Sequence, residues 1–199
     1  MNRFANTIAR AGAALGLALG LALPAAATPY YHVTIDTSSL KVHDGYLDFL
    51  ILTLADEGRV HATIGSISGQ SPGPVIDSGD VATGEPYVTI GNGQGYNEFG
   101  QWVHFGGQLS FNLAFALDPT TPATSSAYTT LQVALIADDQ FSYLGFGQDL
   151  VDFDLRYGEA PGVRALDGVV DVTQVPEAPA LWLSMTGLGL IGALRRRSA

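Results

Sequence analysis

Cysteine is absent from the 199 residues, so no disulfide staples this chain, no thiolate serves as a nucleophile and no metal is held through sulfur. Charge is scarce and one-sided: charged residues make up 14% of the chain, with 9 Lys+Arg against 19 Asp+Glu and a formal net charge of -10. That shortage of bases excludes a nucleic-acid surface, because phosphate backbones are held by Lys and Arg. Also missing are an internal repeat, an internal run with helical spacing of apolar residues, and a long linker other than the few residues around Pro176. What is present is 47% hydrophobic residues, with 24 Gly and 10 Pro. Such a chain is too apolar to be a disordered acidic one, and it is long enough for one packed domain with tails.

The two ends differ from the middle. Residues 1–10 carry Arg3 and Arg10 and no acid, residues 11–23 are an unbroken run of Ala, Gly and Leu, and Pro24 and Ala25-Ala26-Ala27 follow. This is the three-part pattern of a secretory signal helix, 1–27, with small residues Ala25 and Ala27 at the positions a signal peptidase reads and cleavage expected after Ala27. The competing reading, an uncleaved anchor, needs an apolar run of about 20 residues. At the other end, residues 180–194 form a second apolar stretch, followed at once by Arg195, Arg196 and Arg197. As a helix it reaches roughly 22 Å, against about 30 Å of hydrocarbon, so it is a short transmembrane helix. The arginines hold its end in the cytoplasm and leave the body of the protein outside. An ordinary helix packed in the core is the alternative, but one apolar on all sides with a basic stub does not suit a mainly β domain.

Between the tails, in residues 28–174, the period is two. Leu109, Phe111, Leu113, Phe115 and Leu117 alternate with Gln108, Ser110, Asn112, Ala114 and Ala116, which predicts a half-buried strand over 108–117. Tyr31, Val33 and Ile35 predict another, as do Val60, Ala62 and Ile64. Residues 46–54 are apolar on nearly both sides and read as a central strand; 129–137, 150–155 and 169–173 follow, with weaker candidates at 87–90, 102–105 and 141–146. Turns are expected at Ser71-Pro72-Gly73-Pro74, Asp118-Pro119 and Ala160-Pro161-Gly162. The expected fold is an all-β antiparallel sandwich, jelly-roll-like, flanked by the signal helix and the C-terminal transmembrane helix. The four bases of this ectodomain, Lys41, Arg59, Arg156 and Arg164, face 18 acids, a net of -14. Such a surface repels anionic partners and collects divalent cations.

Candidate chemistry is thin. Asp149, Asp152 and Asp154 are calcium candidates, with Asp138 or Asp139 from the preceding loop, because period two puts Asp152 and Asp154 on one face with Arg156. A solvated strand face with Arg156 as counter-charge is the plainer account, since no calcium-loop motif is present. His32, His43, His61 and His104 are too scattered for a ligand motif. Gly65-Ser66-Ile67-Ser68-Gly69 fails as a nucleophile elbow, having Ile67 at the centre. Gly91-Asn92-Gly93-Gln94-Gly95 lacks the helix and lysine of a phosphate cradle and reads as a flexible loop. Tyr96, Phe99 and Trp102, among Asn92, Gln94, Asn97, Glu98 and Gln101, combine flat apolar rings with amides in a way that suits sugars. The alternative is that Phe99 and Trp102 cap the core.

Val175-Pro176-Glu177-Ala178-Pro179, the Leu/Gly-rich stretch 180–194 and the arginine cluster together resemble the PEP-CTERM sorting signal of Gram-negative bacteria, over residues 175–199. Ala178 stands where a second proline is usual, with Pro179 one place later. The prolines keep this stretch extended and delay the helix, so that a protease can bind it as a strand. Residues 31–40 and 45–49 also look like the opening of short PEP-CTERM proteins with no assigned activity and a β-sandwich fold. The resemblance implies a transient partner, the exosortase that acts on the tail, and an association with exopolysaccharide or biofilm matrix. The expected function is therefore a noncatalytic protein of the cell envelope or extracellular matrix, exported, held for a time in the inner membrane and then found at the surface or outside the cell. No catalytic residue and no cofactor beyond the calcium candidates are assigned. The alternative is a carbohydrate-binding module-like protein acting on extracellular polysaccharide, and a secreted hydrolase ranks third for want of an acid/base pair.

Overall fold

A computed structural model of the protein describes residues 30–53, 58–117, 128–156 and 159–175. The signal segment with Ala25 and Ala27, the tail from Pro176 through residues 180–194, and Arg195–Arg197 lie outside these residues. Among the described residues every regular element is a strand: β1 (Tyr30–Asp36), β2 (Asp44–Leu52), β3 (Val60–Gly65), β4 (Gln70–Ser78), β5 (Val81–Gly84), β6 (Tyr87–Gly91), β7 (Tyr96–His104), β8 (Gln108–Leu117), β9 (Thr129–Ile136), β10 (Val151–Leu155), β11 (Gly162–Ala165) and β12 (Val170–Val175). They form two six-stranded sheets, ordered β12-β1-β8-β3-β6-β5 and β11-β10-β9-β2-β7-β4. All pairings are antiparallel.

The alternation seen in the sequence is the alternation of burial. On β8, Leu109, Phe111, Leu113 and Phe115 point into the space between the sheets, and on β1 Tyr31, Val33 and Ile35 do the same. The facing sheet contributes Leu47, Phe49 and Ile51 from β2 and Val151, Phe153 and Leu155 from β10. Aromatic rings lock the layers: Phe49 meets Phe111 edge-on with centroids 5.0 Å apart, and Tyr31 meets Phe153 at 5.4 Å. Burying each such side chain contributes about 1.5–3 kcal/mol.

Four expectations need correction. Residues 141–146 are not a strand: only Tyr143 bridges to Ile136, and Asp139 ties the segment into a turn by accepting hydrogen bonds from the Phe141 and Ser142 N–H groups. The stretch Ser71-Pro72-Gly73-Pro74 lies inside β4 instead of forming a turn between strands. Proline is tolerated there because β4 is an edge strand whose register to β7 shifts between Gln70 and Val75. Gly162, expected in a turn, opens the edge strand β11. Finally, β7 begins at Tyr96, six residues before the expected strand, because β2 and β4 pair with it on both sides.

Candidate functional site

The period of two that sends Phe49 and Phe99 inward leaves Asp48 and Glu98 on the outer face of the second sheet. The registers then assemble rows across it. Glu98, Leu50, Gln132, Asp152 and Arg164 lie side by side on β7, β2, β9, β10 and β11. Tyr96, Leu52, Thr130 and Asp154 form the next row. One row the other way, Asp48 sits between Gly100 and Ala134, two small residues that let its carboxyl sink into the sheet surface.

Asp48 is 6% exposed and its Oδ1 has no hydrogen-bond partner. Burial first, then the charge and hydrogen bond of Glu98, then the charge of Asp149, push its carboxyl up to about 8. Asp48 therefore holds its proton far above the usual carboxylate range, in a side-chain hydrogen bond with Glu98, whose Oε2 accepts the Tyr96 hydroxyl. Asp149 accepts from Gln132 Nε2 at 2.7 Å and from the Tyr143 hydroxyl at 3.0 Å. Burial, followed by these carboxylate neighbours, raises both the Tyr96 and the Tyr143 hydroxyl.

The calcium candidates are brought together in part. Asp152 and Asp154 share the outer face, but the Arg164 guanidinium donates to both, at 3.2 and 2.9 Å. Asp154 also accepts from Thr130, while Asp152 keeps one buried oxygen without a partner. Burial raises the Asp152 carboxyl and Arg164 opposes that rise. The counter-charge is thus Arg164, not Arg156, whose guanidinium lies 4.7 Å over the Tyr128 ring. Asp149 is turned to Tyr143 and Gln132, and Asp139 to its own turn. Among the described residues no group of three or more His, Asp or Glu side chains is arranged to hold a metal ion.

The three aromatic candidates separate. Phe99 points inward, is 2% exposed and stacks on Phe49, so it is core and not a sugar platform. Tyr96 and Trp102 face outward, Tyr96 about half exposed. Trp102 packs edge-on against Tyr46 at 4.8 Å and lies under β4: a Cβ at Gly73 would fall 2.3 Å from its ring. The loop 91–95 is tied to its surroundings by hydrogen bonds at Asn92, Gly93 and Gln94. Buried Asn92 accepts from the Val60 N–H at 2.9 Å and donates to the Gly58 carbonyl and the Thr129 hydroxyl. Buried Asn97 accepts from the Asp80 and Gln94 N–H groups.

A second feature escaped the sequence reading. Residues of β3, β5 and β6 from one sheet and of β4 and β7 from the other line a cleft of about 570 Å³. Its lining includes Ser66 and Ile67 of the discarded elbow segment, together with Gln70, Gln101 and Tyr87. The buried acid left a trace in the sequence, since Asp48 is the one charged residue within the apolar stretch 46–54. Among known proteins, no family model matches the chain, and no curated protein or solved structure is significantly similar to it.

Proposed function

We propose that the chain is an exported, noncatalytic cell-envelope or extracellular-matrix protein, sorted through its C-terminal signal by an exosortase and associated with exopolysaccharide or biofilm matrix. The observation that carries this reading is the succession of Val175-Pro176-Glu177-Ala178-Pro179, then the apolar residues 180–194, then Arg195-Arg196-Arg197, in a chain whose residues 1–27 have the composition of a signal segment. The strand boundaries support it. In the β1–β12 ladder Tyr30 lies opposite Val175, so every strand among the described residues falls between the two cuts proposed, after Ala27 and near Val175 to Pro179. The two ends of the domain also leave the same end of one strand pair. In this scheme residues 180–194 hold the protein in the inner membrane for a time, with the sandwich outside.

The architecture we infer is jelly-roll-like. The order β1-β8-β3-β6 facing β2-β7-β4 supports it, since these strands alternate between the sheets as in a double Greek key; β5 departs from it by joining β6, and β9, β10 and β11 follow one another within the second sheet. The sorting reading is tested in a host that has the enzyme. Mass spectrometry of surface material should find a C-terminus between Val175 and Pro179, and Pro176→Ala with Glu177→Ala should trap the full-length form in the inner membrane. Intact Arg195-Arg196-Arg197 on mature surface protein would contradict the mechanism.

A further inference from the structure

Asp44 opens β2 directly opposite His104, the last residue of β7. The Phe105 N–H donates to the His43 carbonyl at 2.6 Å, and the His104 N–H donates to the Gly69 carbonyl at 2.8 Å. Backbone hydrogen bonds thus fix two histidines, far apart in the sequence, on neighbouring strand ends. Their rings are nearly parallel, with 12° between the planes and centroids 6.0 Å apart. Both side chains are exposed. No spacing along the chain signals this pair; the β2–β7 register makes it.

The hydrogen bonding of the pair is that of a metal ligand set. His104 Nδ1 lies 3.0 Å from Asp44 Oδ1. An ionised carboxylate only accepts, so in the neutral ring Nδ1 carries the proton and Nε2 keeps its lone pair. A carboxylate placed behind an imidazole in this way holds the tautomer and makes the opposite nitrogen a better donor to a metal. The His43 ring stacks on His104, and among the described residues its nitrogens bond no other group, so a lone pair is open there as well. Two imidazoles sharing one metal at about 2.0–2.1 Å set their ring centres roughly 4.5–6.5 Å apart, depending on the angle at the metal. The 6.0 Å of this pair falls in that range. The remaining adjustment is rotation of exposed side chains, with the strand ends left in place.

The donor atoms select the ligand. Calcium and magnesium take oxygen ligands and would find only the Asp44 carboxylate here. Imidazole nitrogen suits copper, nickel and zinc, with Cu²⁺ held most tightly in that series. The net charge of -14 on the ectodomain concentrates every cation near the surface, and the two rings choose among them. No third His, Asp or Glu side chain converges with them among the described residues, so water completes the coordination and the metal stays exchangeable.

We propose that His43 and His104 bind a divalent transition metal, Cu²⁺ ahead of Ni²⁺ and Zn²⁺, with Asp44 as the positioning residue behind His104. The inference is independent of the sorting tail and uses none of the calcium candidates.

The test is titration of the untagged full chain in mild detergent with Cu²⁺, Zn²⁺ or Ca²⁺, read by equilibrium dialysis and, for Cu²⁺, by electron paramagnetic resonance. One tightly bound Cu²⁺ per chain is expected, with two nitrogen ligands in its spectrum, competed by Zn²⁺ and untouched by millimolar Ca²⁺. His43→Ala and His104→Ala should each weaken binding by more than about tenfold, and Asp44→Ala by about tenfold with both nitrogens still in the spectrum. Asp44→Asn, whose amide oxygen still accepts from Nδ1, should fall between Asp44→Ala and the parent. His32→Ala and His61→Ala should leave binding unchanged. The exposed variants should keep the parent's melting temperature; should one melt early, the nitrogen count of the parent decides. Equal Cu²⁺ affinity in the parent and in the His43→Ala, His104→Ala double variant would overturn the proposal, as would a parent spectrum with fewer than two nitrogens, or binding lost with His32→Ala or His61→Ala.

Discussion

Replacing Asp48 by asparagine should make the domain more stable at alkaline pH and remove most of its pH dependence above pH 5. The carboxyl lies at about 8 in the folded chain and near 3.8 when the chain unfolds. Between those values the folded state holds a proton that the unfolded state has released, so stability falls as pH rises. The slope is at most about 1.4 kcal/mol per pH unit. Between pH 5 and pH 8 the loss therefore reaches about 4 kcal/mol, a large share of the roughly 5–15 kcal/mol of a typical domain. Asp48 is buried, so solvent screens little of that loss, and Asp48→Asn keeps an N–H donor toward Glu98 while removing the titration. The assay is urea unfolding of residues 28–175, followed by circular dichroism from pH 5 to pH 9. The parent should lose stability steadily and level off above pH 8, whereas Asp48→Asn should be nearly flat and exceed the parent at pH 9. A parent equally stable at pH 5 and pH 9, or an Asp48→Asn protein with the same slope, would refute the argument.

Phe111 is fully buried against Phe49, so Phe111→Asp should leave residues 28–175 unfolded or destabilised by at least about 3 kcal/mol, read from chemical denaturation; an unchanged midpoint would mean the face of β8 is reversed. Asn92→Leu removes three buried hydrogen bonds at once and should cost about 2–4 kcal/mol while speeding amide exchange at Val60, whereas a mobile loop would tolerate it. Arg164→Gln breaks an exposed pair and should cost under about 1 kcal/mol. Because Arg164 carries the counter-charge of Asp152 and Asp154, millimolar calcium should leave the parent's melting temperature in place and raise that of Arg164→Gln; a calcium shift in the parent would show the carboxylates to be free for metal.

Strand identity was legible locally because a strand declares its own two faces. The side chains of β1, β3 and β8 alternate with no reference to any partner, and the burial found for them follows that alternation. The split of the chain into a β body and two apolar tails is a matter of composition and is likewise readable residue by residue. Partnership is different. Whether Pro72 and Pro74 end a strand or belong to one depends on β4 lying at a sheet edge, where a missing N–H costs no ladder bond. Asp152 and Asp154 reach Arg164 because β11 returns beside β10, and Arg156, close in sequence, is drawn to Tyr128 instead. Asp48 is held far above the usual carboxylate range first because the sheet buries it between Gly100 and Ala134, and then because β7 sets Glu98 near it. Gly65 meets the Tyr87 ring only because the β3–β6 register sets the two residues opposite each other. Periodicity and composition are carried by neighbours along the chain, so the sequence alone determined the strands and their inward faces. Charge pairing, desolvation and the cleft depend on contacts between residues tens of positions apart, and those the tertiary structure decided.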